Sequence, residues 1–313
     1  MTHPYKIIVN PRAGSGLGQR ELPKIHHLLK HHGLDFDLTC TEEAWHAAEL
    51  ASEATRAGYK VVVAAGGDGT SNEVINGLMA ARGTVSNNPS LGVLSLGRGN
   101  DFAHAVGIPV DLEEAVQMLI SDHRHRIDLG RVYGGNFPQG RYFGNCVGVG
   151  FDAVATIETA KLPRFGGFLS FLIAVLKTIF LYHRGPEVRL VYDEKSLTLA
   201  TLMVSIMNGQ RLGDGFWMAP EASVEDGFFD LCIARQVSRR RILSLIPHFL
   251  RGTQATQDEI ITGMGARITI EALEGVLPAQ TDGEILCVDG TELRIEMHPK
   301  ALEVVGLPRR GMK

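Results

Sequence analysis

What this chain lacks narrows its reading first. Cys40, Cys146, Cys232 and Cys287 are scattered and form no C-x-x-C pair, which speaks against a disulfide framework and against a zinc knuckle. A reducing compartment is therefore expected. There is no excess of positive charge: the formal net charge is −4, so no global basic field recruits nucleic acid or membrane, and any anionic surface must be met by a local patch. No nucleic-acid partner is expected. A spanning apolar run is also missing. The nearest, Phe165 to Leu181, contains Gly166, Gly167, Ser170, Lys177 and Thr178 and falls short of the roughly 20 apolar residues that a transmembrane helix needs. Met1 to Val9 carries one lysine and a short apolar run, too little for a secretory signal. A cytoplasmic protein is expected, with neither internal repeats nor low-complexity tracts.

What is present is an ordinary globular composition, 44% hydrophobic and 21% charged over 313 residues, long enough for about two domains. Up to about Ile127 strands alternate with helices. The pattern predicts strands over Tyr5–Val9, Phe36–Thr39, Val61–Ala65 and Leu91–Leu96, and helices over Glu21–His32, Glu42–Gly58 and from Ser71 onward, a βαβ series with right-handed connections. Thr41 is suited to cap the second helix, with Glu42 and Glu43 in its first turn. After Asp128 the texture becomes β-rich. Asp128–Tyr133 and Tyr142–Val149 flank a turn at Gly134-Gly135-Asn136, and Val188–Tyr192 and Leu197–Ile206 flank one at Asp193-Glu194-Lys195. Phe228–Ala234, Arg267–Ala272 and Leu293–Met297 supply further strands. This predicts a β-sandwich. The domains are thus expected at 1–127 and 128–313, with a return of Leu302 to Gly306 to the first domain left open.

Three of the predicted strands end in glycine loops: Asn10-Pro11-Arg12-Ala13-Gly14-Ser15-Gly16, Gly66-Gly67-Asp68-Gly69-Thr70, and Gly97-Arg98-Gly99-Asn100-Asp101. One such loop alone would read as an ordinary tight turn. Three ending parallel strands can meet where the strand order reverses, the place where open α/β sheets hold nucleotides. Glycine lets the backbone approach a bulky anion while the N–H groups of a helix start point at it. A phosphate is the expected guest. There is no G-x-x-x-x-G-K-[ST] loop and no H-R-D or D-F-G signature, so neither a P-loop nor a protein-kinase site is present. The loop is also not a G-x-G-x-x-G dinucleotide fingerprint with its distant acid, which disfavours hydride transfer. Neutralising a triphosphate then falls to backbone N–H groups, to carboxylate-held Mg²⁺, and to arginines such as Arg12 and Arg98.

In order and spacing, these loops together with Ser71-Asn72-Glu73, Asp226-Gly227 and Asp282-Gly283-Glu284 resemble the diacylglycerol kinase catalytic family. The likeness is to its soluble bacterial lipid kinases, relatives of the sphingosine kinases, and it covers nearly the whole chain. The G-G-D-G-T core is shared with NAD kinases; Glu73, Asn76-Gly77 and Asn100-Asp101-Phe102 favour the lipid branch. The resemblance implies an N-terminal doubly wound parallel-sheet domain of NAD kinase-like fold. A C-terminal β-sandwich would receive the lipid, with ATP in a cleft between the two. It implies nucleotide contacts from Asn10, Pro11, Arg12, Gly14, Ser15, Thr41, Gly66, Gly67, Asp68, Gly69, Thr70, Asn72, Glu73, Gly97, Arg98 and Asn100. Mg²⁺ would be held by Asp68 with Asp101 and Asp128. The alternative reading of Asp101 is a helix cap, and that of Asp128 a turn residue at a strand end. A second, structural Mg²⁺ would be held by Asp226 and the carbonyls of Ser223 and Phe228, where the residues alone say only "turn". Glu284 would accept the proton of the lipid hydroxyl with Asp282 assisting, although Asp-Gly as a bare dipeptide is a hairpin turn. Arg98 departs from the family, which usually has threonine there, and puts nucleotide affinity in question.

The implied activity is transfer of the ATP γ-phosphate to a lipid hydroxyl, diacylglycerol first, with a sphingoid base, monoacylglycerol or another polyol as alternatives. A catalytically inactive nucleotide- or lipid-binding regulator is the alternative from another class. The lipid partner would be met by peripheral contact with the inner face of the membrane. Arg239-Arg240-Arg241 beside the apolar stretch Ile242–Leu250 reads either as a docking patch or as a solvated helix start. The Phe165–Leu181 stretch reads either as a mostly buried helix or as one that also lines a lipid entrance, and a homodimer is left open.

Overall fold

Val61-Val62-Val63-Ala64-Ala65 offers no polar side chain to water, and a run of that kind makes a strand covered on both faces. The computed structural model describes residues 4–85, 88–162, 167–182, 184–213 and 215–307, and this run is its central strand. The chain divides into two compact units, Met1–Ile127 with Lys300–Arg309, and Asp128–Pro299 with Arg310–Lys313.

In the first unit β1 (Tyr5–Val9), α1 (Ala13–His31), β2 (Phe36–Cys40), α2 (His46–Ala57), β3 (Val61–Gly66), α3 (Asp68–Ala81), β4 (Ser90–Ser95), α4 (Asp101–Ala105) and α5 (Leu112–Ser121) follow one another. The strands pair in the order β4-β3-β1-β2, all parallel. Since β1 to β2 runs one way across the sheet and β3 to β4 the other, right-handed crossovers put α1 and α3 on opposite faces. The helices accordingly pair as α2 with α3 and α1 with α5. Ile7, Ile8, Val62, Val63 and Leu94 are fully buried between these layers. The end of the chain also belongs here: Val304 pairs in parallel with Leu91, and the Gly306 N–H donates to the His123 carbonyl at 2.9 Å.

Two helix starts differ from expectation. α1 begins at Ala13 rather than Glu21, because a left-handed kink at Gly14, Ser15 and Gly16 is followed at once by helix that runs through Pro23. α2 begins at His46, four residues after the expected start, and Thr41 does not cap it; its N-cap, Trp45, makes no side-chain capping bond. The cap comes from elsewhere, as Glu73 Oε2 accepts the Ala47 N–H at 3.2 Å, meeting one of the orphan donors that every helix start carries.

The second unit contains β5 (Arg124–Gly134, begun in the first unit), β6 (Phe137–Phe143), β7 (Cys146–Gly150), α6 (Phe151–Lys161), α7 (Gly167–Leu181), β8 (Glu187–Tyr192), β9 (Lys195–Met207), β10 (Arg211–Leu212), β11 (Phe216–Trp217), β12 (Phe229–Arg235), α8 (Arg239–Arg251), β13 (Ile260–Gly265), β14 (Arg267–Ala272), β15 (Leu277–Thr281), β16 (Glu284–Gly290) and β17 (Glu292–Val305, which ends in the first unit). One sheet runs β16-β15-β7-β9-β12-β13 and the other β9-β8-β14-β17. β9 serves both: Lys195–Ala200 pairs with β8, and Thr201–Met207 pairs with β12.

The two-residue period of a strand sorts β9 and β12 between two cores. Val204, Ile206, Leu231 and Ile233 enter the core between the sheets. Met203, Met207, Cys232 and Ala234 face a second core under α6, α7 and α8. The β-sandwich is therefore present, with a helical layer over one sheet. The expected strand Tyr142–Val149 is broken at Gly144-Asn145, and the reason lies far away in sequence, at Asp282. Phe165 and Gly166, at the start of the expected helix, lie outside the described residues.

Phe229 is fully buried and stacks on Phe143 with ring centroids 5.6 Å apart. Phe229→Ala should cost about 3–5 kcal/mol of unfolding free energy, read as a lowered midpoint in urea; a loss below about 1 kcal/mol would show that the sandwich core does not depend on this pair.

Candidate active site

The strand order reverses between β1 and β3, so the loops that follow them open at adjacent points of the carboxyl edge. Side chain and backbone tie them together. The Asn10 N–H donates to the Ala65 carbonyl at 2.9 Å, and Asn10 Nδ2 donates to Thr70 Oγ1 at 3.0 Å. The third loop joins through glycine alone. A methyl group on Gly67 would stand 3.0 Å from the Gly97 Cα, and one on Gly14 would collide with the Leu96 carbonyl. Three loops thus meet at a spacing that leaves no room for a side chain at Gly14, Gly67 or Gly97. Ser15 and Asn100 sit at the left-handed φ values of 61° and 50°, the kind of strain that collects at ligand sites.

α3 starts at Asp68 behind Gly67, with no side-chain cap, so its first N–H groups face the loops. Asp68 Oδ1 accepts the Phe102 N–H at 3.0 Å. Its other oxygen converges with Asp101: a Cβ on Gly99 would lie 3.2 Å from Asp68 Oδ2 and 3.4 Å from Asp101 Oδ2. Two carboxylate oxygens aimed at one glycine fit Mg²⁺, which takes one or two carboxylates and fills the remaining positions with water and phosphate oxygens.

Not every expected residue joins this point. Glu73 faces α2, as described, and Asn72 is buried in α3 with its Oδ1 accepting from Asn76 at 3.2 Å. Thr41 sits at the end of β2, its N–H on the Val9 carbonyl at 2.8 Å. Arg12 is exposed at the head of α1 with its N–H on Asn10 Oδ1 at 3.0 Å, following Pro11 in the loop. Arg98 is half-buried in its loop and has no ion-pair partner among the described residues.

In the second unit Asp128 is fully buried. Its Oδ2 accepts the Gly227 N–H at 2.6 Å, and its own N–H reaches the Val224 carbonyl at 2.7 Å. Within its own unit its partner is thus the 223–228 loop. Within that loop Ser223 Oγ accepts the Glu225 N–H at 3.3 Å, and Asp226 Oδ1 accepts the Phe228 N–H at 3.0 Å. Burial raises the Asp226 carboxyl, the Phe228 N–H pulls it down, and the Asp128 charge raises it again. Asp230 is pushed up to about 6 by burial and by the charges of Asp226 and Glu221. Among the described residues no three His, Cys, Asp or Glu side chains converge as around a metal ion.

Asp282 and Gly283 have φ values of 46° and 84°, which makes them the two-residue hairpin turn between β15 and β16. Both Asp282 oxygens are engaged. Oδ2 accepts from the Gly144 N–H at 2.9 Å, and Oδ1 accepts from Asn145 at 3.0 Å and Cys146 at 2.9 Å. That is a fastening role, and it explains the break in the strand over 142–149. Glu284, the first residue of β16, is half-exposed and pairs with the buried Arg141 through Nη2 and Oε2 at 2.5 Å. Arg141 was not among the expected residues.

A second unforeseen group is Asp152, the second residue of α6. It is buried in the wall of an apolar cavity of about 60 Å³, beside Phe171, Leu202, Met218 and Leu245. Ser205 Oγ donates to its Oδ2 at 2.7 Å and the Ala153 N–H to its Oδ1 at 2.8 Å. Burial nevertheless pushes it up to about 7. The only signal in the sequence is an acid set directly after the apolar run that ends at Phe151.

Comparison with known proteins bears on this arrangement. Residues 4–132 match the model of the diacylglycerol kinase catalytic domain, and residues 145–306 match that of the YegS C-terminal NAD kinase beta sandwich-like domain. The diacylglycerol kinase of Bacillus subtilis is 30% identical over 281 residues, 89% of either chain. That of Staphylococcus saprophyticus is 27% identical over 280 residues, 89% of this chain and 88% of its own. A crystal structure of a proposed diacylglycerol kinase from Bacillus anthracis superposes with a TM-score of 0.78 at 25% identity, covering 98% of both chains. Yeast NADH kinase shares the fold at a TM-score of 0.50 and 12% identity, over 97% of this chain and 83% of its own.

Asp152 yields a prediction with a definite sign. Its carboxyl stands near 7 when folded, against 3.8 ordinarily, so it supports folding fully below about pH 4 and that support is lost as the pH rises through about 7. Asp152→Asn keeps the Ser205 contact and should remove a loss on the order of a few kcal/mol across that window. Equal slopes of stability against pH in variant and parent would refute the assignment.

Proposed function

Because the chain belongs to the diacylglycerol kinase family and is an ATP-dependent lipid kinase, we propose that it phosphorylates diacylglycerol to phosphatidic acid, with Glu284 as the proton acceptor. The observation that carries the nucleotide part is the meeting of three glycine loops near the α3 N-terminus, with oxygens of Asp68 and Asp101 both bordering Gly99. Backbone N–H groups and a helix start supply the positive potential that a triphosphate requires.

Asp68 and Asp101 would hold Mg²⁺, which supplies neutralisation of the charge that develops on the transferred phosphoryl group. Asp226 and the carbonyls of Ser223 and Phe228 would hold a second, structural Mg²⁺. Burial first, and then the neighbouring acids, raise the carboxyls of Asp226 and Asp230, and a divalent cation there would offset both. The ion pair with Arg141 fixes the Glu284 carboxylate in one orientation and leaves it half-exposed. A base held in this manner raises the rate of attack by a weakly nucleophilic alcohol by roughly 10²- to 10⁴-fold. Asp282 contributes by holding the turn from which Glu284 projects.

The lipid is met at a bilayer surface. Lifting an acyl chain of about 16 carbons wholly into water would cost on the order of 12 kcal/mol, and working at the interface avoids that step.

Two measurements test this reading. With labelled ATP and a panel of diacylglycerol, monoacylglycerol and a sphingoid base, diacylglycerol should be the preferred acceptor, and Glu284→Gln should lower kcat at least a hundredfold while ATP affinity stays within about twofold; parallel loss of transfer and ATP binding would make Glu284 structural. Asp68→Asn should raise the Mg²⁺ concentration for half-maximal rate several-fold, and an unchanged Mg²⁺ profile would exclude it from the metal site.

A further inference from the structure

One helix presents to solvent what helices of its kind usually hide. The inner side of α7, with Phe171, Ala174, Val175 and Ile179, packs into the second core of its unit. Its outer side carries Leu169, Ile173, Leu176 and Phe180 at helical spacing, with Phe180 68% exposed and Leu181 57% exposed. A continuous apolar stripe on a surface marks an interaction site.

The neighbouring helix frames it with charge. Arg239, at the start of α8, donates to the carbonyls of Ile179 and Phe180 at 3.1 and 3.2 Å, and its guanidinium lies 5.9 Å from the Phe180 ring centroid. Arg240 is exposed beside it, Leu243 continues the apolar surface one turn on, and Arg251 is exposed at the far end of α8. Arg241 is a different case: it is bound to Glu259 at 2.8 Å and to Gln257 at 3.0 Å. The three-arginine patch thus resolves into one residue engaged by an acid, one held against Phe180 at the end of the stripe, and one exposed next to it in the sequence. In a chain of net charge −4 this concentration of arginine and apolar side chains is local. An aromatic and aliphatic stripe rimmed by arginine matches an anionic leaflet, with hydrocarbon below and phosphate at the level of the guanidinium groups.

We propose that the outer face of α7, with Leu243 of α8, is the surface by which this protein docks on an anionic phospholipid bilayer. The helix lies in the plane of the interface. Its 15 residues reach only about 22 Å at 1.5 Å per residue, short of a hydrocarbon core of about 30 Å, and no described helix is long and apolar enough to cross a membrane. The same two helices wall the apolar cavity from within, so each has one face for the protein and one for the lipid. The proposal rests on the lipid-kinase reading for its purpose, while its test does not.

The test is flotation of the full chain with vesicles of phosphatidylglycerol and phosphatidylcholine, and with phosphatidylcholine alone. The parent should float with the anionic vesicles. The double variant Leu176→Asp, Phe180→Asp should lose at least tenfold in partitioning and Arg240→Glu at least about fivefold. Both should keep the parent's melting temperature and its rate on a short-chain diacylglycerol dispersed as monomers. Anionic-vesicle binding unchanged in the double variant, or absent in the parent, overturns the proposal. So does a parent dimer that becomes monomeric in the double variant, because the stripe would then belong to a second copy. If flotation behaves as expected but the parent does not phosphorylate the short-chain lipid, the docking face stands and the catalytic reading falls.

Discussion

The site in the first unit depends on the absence of side chains. Gly67 and Gly97 approach so closely that one methyl group would force the loops apart, and Gly14 lies under the Leu96 carbonyl. At Gly14, Gly67 and Gly97 the loops come together as bare backbone, and bare backbone is what an anion needs to reach N–H groups directly. Asn10 and Thr70 then lock a geometry that glycine alone would leave soft. Gly99, in the third loop, leaves open a space that oxygens of Asp68 and Asp101 both border.

Carboxylates elsewhere in the molecule act as fasteners. Asp128 holds the 223–228 loop and Asp282 holds three consecutive backbone N–H groups. Buried amides left without a partner cost about 1–3 kcal/mol each, so one short acid that takes three of them stabilises a break in a strand that would otherwise be costly. This divides the labour within Asp282-Gly283-Glu284: the aspartate sets the backbone, the glycine allows the turn, and the glutamate carries the exposed charge. Two acids in one tripeptide thereby come to have unlike chemistry.

The parts legible in the sequence were those with local causes. β1 and β14 have the expected bounds and β3 and β4 lie within a residue of them, because an apolar run or an apolar alternation between turn residues has few other ways to satisfy its backbone and bury its side chains. The glycine loops were legible for a similar reason, each joining a strand to a helix start. What escaped had distant causes. α2 starts late because its first N–H groups are met by Glu73, 26 positions from Ala47. The strand over 142–149 breaks for Asp282, more than 130 positions away. Arg141 and Asp152 acquire meaning only from Glu284 and from a cavity, and neither has a signature of its own. The arginine triplet was visible as a cluster, but nothing nearby in the sequence tells that Arg241 is spoken for by Glu259.

β9 has a mechanical implication. Its thirteen residues belong to one sheet at the start and to the other at the end, crossing over between Ala200 and Thr201. Neither layer can peel away while the other remains intact, since the shared strand would have to keep half its ladder and surrender the rest. Local opening of this unit must therefore begin at its rims, in short hairpins such as β10 with β11, and the centre should exchange its amide hydrogens only when the whole sandwich comes apart.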